Sequence, residues 1–175
     1  MSSVKISERI LGRGKYLELV DSDGWEFARR HRGPCAVAIV AKTADNKMVL
    51  IEETRRPVSG QVISIPAGLI GDEEADEKVM QAAQRELEEE AGYRANNWKT
   101  LMEGPISAGM TSEIVCFVLA TDLERVSNGG GVDREEIVVH TIAMEKVHSW
   151  LLEQRRKGLL IDHKIYAALY WLMQT

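Results

Sequence analysis

The sequence has few cysteines and no long apolar run, and each absence excludes a class of protein. Its two cysteines, Cys35 and Cys116, lie in the strand-like runs PCAVAIV and IVCFVLA, where cysteine packs as a small hydrophobic side chain. We therefore expect neither a disulfide nor a catalytic thiol. No segment approaches the roughly 18 uninterrupted apolar residues of a membrane-spanning helix, and the N-terminus lacks a signal-peptide core. We expect a cytoplasmic protein without a membrane partner.

Basic residues are also scarce relative to acidic ones. The chain has 22 Lys and Arg against 27 Asp and Glu, which gives a net charge of −5. Such a balance does not provide the basic surface through which proteins bind nucleic acids nonspecifically. At 175 residues and 45% apolar content, the chain fits one globular domain with a substantial core. We predict a single domain over residues 1–175 and no nucleic-acid partner.

Strand-like and helix-like segments are mixed along the chain. The run KYLELVDSDGWEFARR predicts an antiparallel hairpin within residues 1–32, with its turn at Asp23 and Gly24. Apolar strands, one central helix and two C-terminal helices follow, the last of them after Asp162 as N-cap. The predicted fold class is α/β (α+β) with a mixed sheet. Glycines 129–131 indicate a flexible hairpin loop, because no helix or Lys-Ser/Thr pair follows them to support a phosphate-binding loop.

The central helix is predicted within residues 71–93, GDEEADEKVMQAAQRELEEEAGY. At about 100° per residue its apolar side chains form one stripe, made by Val79, Ala82, Ala83, Leu87 and Ala91. Glu86 and Glu90 fall inside this stripe, and Glu89 lies at its border. Three carboxylates on neighbouring turns repel one another, and acids in the last turn oppose the helix dipole. Helix stability therefore does not explain them.

Two explanations of these acids are open. A run such as ELEEE is most often a solvated helix face that aids solubility. Alternatively, carboxylates held together near a core coordinate a cation, and Mg²⁺ prefers such oxygen ligands. The spacing G-x5-E-x7-R-E-U-x-E-E-x-G-U, with U bulky and apolar, favours the metal. All nine specified positions over 23 residues agree, namely Gly71, Glu77, Arg85, Glu86, Leu87, Glu89, Glu90, Gly92 and Tyr93.

This segment resembles the Nudix box, the signature motif of the Nudix hydrolases. The resemblance implies a Nudix-type α/β/α sandwich and hydrolysis of a diphosphate linkage. It also implies that Mg²⁺, or Mn²⁺ in its place, is bound by the carboxylates of Glu86, Glu89 and Glu90, with Glu89 also catalytic. Arg85 and Glu77 would form an internal ion pair that holds the box together, and Glu88 on the outward face would be dispensable.

A second resemblance lies outside the box. The segment IEETRRPVSGQVISIPAGLI is similar to the one that precedes the box in ADP-ribose pyrophosphatases and related nucleoside-diphosphate-sugar hydrolases. With the N-terminal hairpin and SAGMTSE, this resemblance covers most of the chain. It implies that Ala67 offers its backbone carbonyl to a metal ion.

The chain departs from this subfamily in two places. Three additional residues separate Pro66-Ala67-Gly68 from Glu77, so either Gly68 or Gly71 could make the tight turn of the box. Ala108, fifteen residues after Tyr93, stands where these enzymes often carry proline. The second departure weakens ADP-ribose as the only substrate.

The same resemblance implies residues that act on the substrate. Glu113, in SAGMTSE, matches the family's loop glutamate, a general base or a group that positions water, with an exposed structural acid as the alternative. Trp25, on the second arm of the hairpin, either stacks on the nucleobase or packs in the core. Arg30 and Arg56 would direct guanidinium groups at the base or diphosphate, with Arg55 as the solvent-facing neighbour.

The activity implied by the resemblance is attack of water on a phosphorus atom of a nucleoside diphosphate sugar, such as ADP-ribose or GDP-mannose. The products would be a nucleoside monophosphate and a sugar phosphate. Nucleoside triphosphates and dinucleoside polyphosphates are alternative substrates, and a noncatalytic nucleotide-sugar sensor is the alternative of another class. The resemblance further implies a homodimer in which the N-terminal hairpin exchanges contacts.

Overall fold

The structure is a computed structural model that describes residues 7–31, 33, 35–71, 74, 76–132 and 136–174. The strands of this part of the chain are β1 (Glu8–Arg13), β2 (Leu17–Ser22), β3 (Trp25–Arg30), β4 (Cys35–Ala41), β5 (Lys47–Arg55), β6 (Gly60–Ser64), β7 (Ala67–Leu69), β8 (Tyr93–Pro105), β9 (Ile114–Arg125), β10 (Ile137–Ala143) and β11 (Leu160–Ile161). The helices are α1 (Val79–Ala91), α2 (Val147–Arg156) and α3 (Lys164–Leu172), with short 3₁₀ turns at Arg56–Val58 and Met144–Lys146.

The N-terminal strands form a separate antiparallel sheet in the order β1-β2-β3. β2 and β3 confirm the predicted hairpin, and their turn residues Asp23 and Gly24 both have positive φ, as a tight hairpin turn requires. β1 is not expected from the sequence, because all six of its side chains are exposed and show no apolar alternation. Residues 1–6 and 32 of the predicted hairpin region lie outside the described residues.

Two four-stranded sheets follow, in the orders β10-β5-β6-β11 and β7-β4-β9-β8. Each contains one parallel pair, β6 with β11 in the first sheet and β4 with β9 in the second, while the other pairs are antiparallel. The predicted mixed sheet and α/β class are therefore confirmed.

β4 lies between the two apolar clusters of the core, which explains why its sequence is apolar at successive positions. Ala38 and Val40 face a cluster that includes α2 and α3. Val37, Ile39 and Ala41 face the other cluster, which includes the apolar stripe of α1. Side chains alternate between the two faces of a strand, so a strand covered on both faces loses the usual polar alternation.

α1 is the helix predicted from the acidic segment, and its boundaries follow from local chemistry. Ala82, Ala83, Leu87 and Ala91 are buried as the stripe predicts. The helix ends at Gly92, whose φ of 72° is the left-handed conformation typical of a glycine after a helix. The helix thus places Glu90 of its last turn beside Ala67 of β7.

Glycines 129–131 do not join a hairpin, because β9 and β10 belong to different sheets. They close over the C-terminal end of α1 instead. The backbone N–H groups of Gly130 and Gly131 donate to the carbonyl oxygens of Glu90 and Glu89, each at 3.0 Å. These carbonyls would otherwise lack partners at the helix end. Residue 133, at the end of the predicted loop SNGGGVD, lies outside the described residues, as do residues 134 and 135.

The two C-terminal helices agree with the sequence. Val147 and Leu151 of α2 are buried, and Gly158 follows that helix with positive φ. Asp162 accepts a hydrogen bond from the backbone N–H of Lys164 at 2.8 Å, close to its predicted capping role. Within the described ranges, no helix is both long and apolar enough to cross a membrane.

Candidate active site

A cavity of about 560 Å³ opens between the two four-stranded sheets, beside the last turns of α1. Glu86 and Glu90 of α1 line it together with Ala67 and Gly68 of β7. Charged side chains from distant parts of the chain complete its walls, namely Arg30, Glu53, Arg55, Glu113, Asp162 and Lys164. We call this cavity the cleft.

The carboxylate of Glu90 is fixed at the base of the cleft. Its side chain is only 5% exposed, and its Oε2 accepts the backbone N–H of Ala67 at 2.8 Å. Ala67 is held in turn by the pairing of β7 with β4, opposite Ala38. The sequence-predicted neighbours Ala67 and Glu90 are therefore brought together.

The two candidate glycines of the box have different roles. Gly71 makes the turn: its φ is 82°, and its N–H donates to Glu77 at 3.0 Å. Gly68 lies directly against the Glu86 carboxylate, and a Cβ at this position would overlap that group. Gly71 thus shapes the loop, and Gly68 leaves room for a carboxylate.

Arg85 joins the acids of the box, and its predicted ion pair with Glu77 is present, with Nε at 3.0 Å from Oε1. Its Nη1 also contacts Glu86 at 2.8 Å and Glu89 at 3.2 Å, and its Nη2 donates to the carbonyl of Leu69. Burial alone would lower the pKa of the guanidinium, but its carboxylate partners, Glu77 foremost, raise it. The hydrogen bond from Arg85 lowers the pKa of Glu77.

The acids of the box have the right chemistry to bind a hard divalent cation, although their side chains are not arranged around one position. Glu86, Glu89 and Glu90 supply carboxylate oxygens, the ligands that Mg²⁺ and Mn²⁺ prefer. Among the described residues, no three acids, histidines or cysteines converge tightly enough to hold an ion as they stand. Arg85 lies between Glu86 and Glu89 instead. A bound cation would share these two carboxylates with the guanidinium or compete with it for them.

The charge of the cleft also favours a cation. Its walls carry five carboxylates against three basic side chains, an excess of two negative charges. A diphosphate brings further negative charge, and like charges at close range repel strongly where water is partly excluded. A phosphate ester can therefore enter this cleft favourably only with counterions.

Glu113 faces the cleft, and Arg30 holds it there. The Arg30 Nε donates to Glu113 Oε1 at 2.7 Å, although the two residues are 83 positions apart. Glu113 is 20% exposed and Arg30 is 34% exposed. The sequence-predicted loop acid and arginine therefore share one wall of the cleft.

The structure does not bring Trp25 or Arg56 into the cleft wall. Trp25 is 63% exposed, and its indole N–H donates to the carbonyl of Gly109 at 3.3 Å. The core alternative for Trp25 is therefore wrong, whereas stacking on a base stays a prediction. Arg56 is exposed, and its neighbour Arg55 lines the cleft while paired with Glu53 at 2.8 Å. The substrate-binding role of Arg56 stays a prediction.

Three charged residues of the cleft are missing from the sequence-based prediction of the site, Glu53, Asp162 and Lys164, and Arg55 lines the cleft although it was expected to face solvent. Asp162 forms an ion pair with Lys164 and accepts a hydrogen bond from Ser64 at 3.1 Å. Burial raises the pKa of Asp162, but the charge and hydrogen bonds of Lys164, together with the hydrogen bond from Ser64, hold that pKa below its usual value. No local pattern marks these residues. Asp162 and Lys164 follow β11, which reaches the cleft because it pairs with β6, and Glu53 of β5 lies opposite Val62 of β6.

Comparison with known proteins agrees with this geometry. A NUDIX domain matches residues 32–162 of the chain. The chain belongs to the Nudix family. Glu86, Glu89 and Glu90 are accordingly acids of a Nudix box in a Nudix domain, and divalent metal ions are typical of the family.

Relatives of this Nudix protein have several names. It is 32% identical over 142 residues to a methanol dehydrogenase activator of Bacillus methanolicus, covering 81% of this chain and 73% of the relative. It is 32% identical over 125 residues to an ADP-ribose pyrophosphatase of Bacillus subtilis (strain 168), covering 70% and 66%. It is 31% identical over 152 residues to a GDP-mannose pyrophosphatase of Escherichia coli (strain K12), covering 82% and 75%.

A solved structure confirms the Nudix fold. The crystal structure of an ADP compounds hydrolase superimposes with a TM-score of 0.73 and covers 99% of this chain and 95% of its own. The sequence identity is 23%, so this similarity is one of fold alone.

Proposed function

We propose that this Nudix protein hydrolyses the diphosphate linkage of a nucleoside diphosphate sugar, such as ADP-ribose or GDP-mannose. The observation that carries the proposal is the cleft: Glu86 and Glu90 of the Nudix box share it with Arg30 and Glu113. Relatives that are named ADP-ribose pyrophosphatase and GDP-mannose pyrophosphatase support this substrate class.

The metal-binding residues would be Glu86, Glu89 and Glu90, with the backbone carbonyl of Ala67. A divalent cation bound there, Mg²⁺ or Mn²⁺, would supply positive charge to the phosphate oxygens and favour ionisation of the attacking water. The ion pair of Arg85 with Glu77 holds a residue before the helix against α1, beside the acids that would bind the metal.

Water attacks one phosphorus atom, and the bridging P–O bond of the diphosphate breaks. Glu113 accepts a proton from the attacking water or orients that water by a hydrogen bond, and Arg30 binds a phosphate oxygen. Glu89, which Arg85 also holds, is the second acid assigned to catalysis. The nucleoside monophosphate and the sugar phosphate leave, and no covalent protein intermediate is needed.

Product identification by chromatography tests this proposal. The purified protein is incubated with Mg²⁺ and ADP-ribose, GDP-mannose, other sugar nucleotides, nucleoside triphosphates and dinucleoside polyphosphates. We expect a nucleoside monophosphate and a sugar phosphate from a sugar nucleotide, and no turnover when EDTA removes the metal. Preferred cleavage of a triphosphate or a dinucleoside polyphosphate would contradict the proposed substrate class.

Two matched variants test whether loss of activity comes from loss of a metal ligand or from loss of any acid in the helix. Glu90→Gln keeps an oxygen for the Ala67 N–H but removes the buried charge, so we expect turnover to fall by about 100-fold or more. Glu88→Gln removes an acid only two residues earlier, on the opposite side of the helix, that pairs with Arg94 at 2.7 Å on the surface. Its turnover should match wild type. Equal loss in both variants, measured as kcat, would contradict the metal assignment.

A second candidate function is regulation of another protein. The relative from Bacillus methanolicus is named a methanol dehydrogenase activator, and its identity to this chain equals that of the ADP-ribose pyrophosphatase. Tight binding of a sugar nucleotide without turnover would favour this noncatalytic sensor.

We also propose a homodimer built on the N-terminal sheet. Leu17 and Leu19 of β2 are 44% and 43% exposed on one face of that sheet. The alternating residues Glu18 and Val20 are buried on the other face. An apolar face of this kind fits a second copy of the chain, which would bring Trp25 to the partner's cleft. Multi-angle light scattering that gives a monomer at micromolar concentration would refute the dimer.

A further inference from the structure

β3 is hydrogen-bonded to the loop that carries Glu113, through residues at its two ends and near its middle. The backbone N–H of Ala28 donates to the Met110 carbonyl at 2.9 Å, and the N–H of Ser112 donates to the Ala28 carbonyl at 3.2 Å. Trp25 and Arg30, at the two ends of β3, add side-chain bonds to Gly109 and Glu113. The backbone bonds fix the path of the loop. They do not fix the direction of the Glu113 side chain, which depends on a separate contact.

That separate contact is the Arg30 guanidinium. A guanidinium has five N–H donors, and Glu113 is engaged by Nε alone, at 2.7 Å. Among the residues that the structure describes, the Arg30 side chain shows no other hydrogen bond or ion pair. Its two terminal nitrogens are therefore available in a cleft that also holds Glu86 and Glu90.

We propose that Arg30 is a positioning residue as well as a substrate ligand, an inference that rests on the function proposed above. Its Nε fixes the Glu113 carboxylate, and its terminal nitrogens bind a phosphate oxygen of the substrate. One rigid planar group then sets the distance between the acid and the phosphate under attack. Arg55 and Lys164, the other basic residues of the cleft, pair with Glu53 and Asp162 and do not contact Glu113.

A purely structural ion pair is the competing explanation, and the contacts argue against it. Exposed ion pairs contribute little to stability, and both side chains of this pair are partly exposed. The loop has its own anchors, including the Glu113 N–H, which donates to the Thr111 hydroxyl at 3.1 Å. Removal of Arg30 should therefore leave the fold intact and change the freedom of the Glu113 side chain.

A double-mutant cycle tests the proposal with Arg30→Ala, Glu113→Gln and the double variant, assayed on the sugar nucleotide that wild type cleaves best. A residue that only binds substrate raises KM alone. We expect Arg30→Ala also to lower kcat by about tenfold or more, because it misplaces a general base or its equivalent. In the Glu113→Gln background the same change should lower kcat less than about twofold and still raise KM. Full additivity of the kcat effects would overturn the proposal.

Two further variants complete the test. Arg30→Lys keeps the charge but lacks the planar fork, so it should restore KM more than kcat. Arg9→Ala is the matched control, because it removes an ion pair with Asp21 in the same sheet, away from the cleft. Its kcat and KM should equal those of wild type. Recovery of kcat to the wild-type value by Arg30→Lys would contradict the proposal that the planar guanidinium of Arg30 positions Glu113.

A readout without turnover separates this inference from the proposed function. Amide hydrogen exchange is measured in residues 109–113, with and without inorganic pyrophosphate and Mg²⁺. Pyrophosphate should protect this loop in wild type, and several-fold less in Arg30→Ala. Such a difference would show that Arg30 links phosphate binding to the Glu113 loop, even if no sugar nucleotide were cleaved. Equal protection in the two proteins would refute it.

Discussion

At the residue scale, Gly68 and Glu86 show how tightly the site is built. β7 passes so close to Glu86 that only a residue without a side chain leaves space for the carboxylate. The atoms that a new Cβ would meet belong to the end of a flexible side chain, so the backbone need not move. A substitution here should therefore affect the site and spare the fold.

We predict that Gly68→Ala weakens Mg²⁺ binding by about tenfold or more, because the Glu86 carboxylate must leave its place. The melting temperature should stay within a few degrees of wild type. Calorimetric titration with Mg²⁺ and a thermal melt measure the two effects. Gly12→Ala is the control, since a Cβ at Gly12 of β1 meets nothing within 4 Å. Unchanged Mg²⁺ affinity in Gly68→Ala would contradict a role for Glu86 in metal binding.

At the element scale, the end of α1 depends on a segment 40 residues later in the chain. Gly129 lies so close to the helix that its Cβ would be 2.5 Å from the Glu90 carbonyl oxygen and 2.6 Å from the Ala91 carbonyl carbon. Both atoms belong to backbone, which cannot yield as a flexible side chain does. Residues 129–131 and the last turn of the helix, with its acids, therefore pack tightly together.

Gly129→Ala should destabilise the protein by roughly 3 kcal/mol or more, through steric overlap added to an unfavourable φ of 66°. Urea unfolding measures the change. Gly158→Ala isolates the backbone contribution, because φ is 94° there and no atom lies within 4 Å of a Cβ. That control should cost only about 1 kcal/mol. If both variants lost the same stability, close packing at Gly129 would not matter.

The elements that sequence analysis identifies are those with a local pattern. α1 repeats apolar residues within 13 positions, and the hairpin of β2 and β3 is marked by Asp23 and Gly24. The pairing of Arg30 with Glu113 and of Ser64 with Asp162 joins residues 83 and 98 positions apart. Such contacts depend on the order of strands in the sheets, which no short pattern encodes. The box was predictable for this reason. Arg30 and Glu113 were named through the family resemblance alone, and Glu53, Asp162 and Lys164 were not named as site residues.

At the scale of the whole molecule, ion pairs between carboxyls and basic side chains make the free energy of unfolding depend on pH. Folding lowers the pKa of several carboxyls, mainly through hydrogen bonds from basic side chains, including Glu77, Glu88 and Glu153. The pKa of Asp162 is lowered as well, because Lys164 and the Ser64 hydroxyl together outweigh the effect of burial. A carboxyl with a lowered pKa stabilises the folded state above its unfolded pKa, and this stabilisation disappears as the pH falls through the folded value.

The free energy of unfolding should therefore be nearly constant around neutral pH and fall as the pH drops below about 5. Urea unfolding at pH 7, 5 and 4 measures this dependence. In Glu77→Gln the stability at pH 7 should already be lower, and the further loss on acidification should be smaller. An identical pH dependence in the two proteins would mean that the pair of Glu77 with Arg85 contributes nothing to it.

The closure of α1 by Gly130 and Gly131 has a consequence for how the chain can vary in length. Hydrogen bonds from these two residues to Glu90 and Glu89 fix the spacing between the helix end and the start of the link to β10. One extra residue between Ser127 and Gly130 would shift both donors out of register and tilt the helix turn that carries the acids. Insertions beginning after Gly131 leave those donors in place. Natural or engineered variation in loop length should therefore be excluded between Ser127 and Gly130, because the positions of the box acids depend on that spacing.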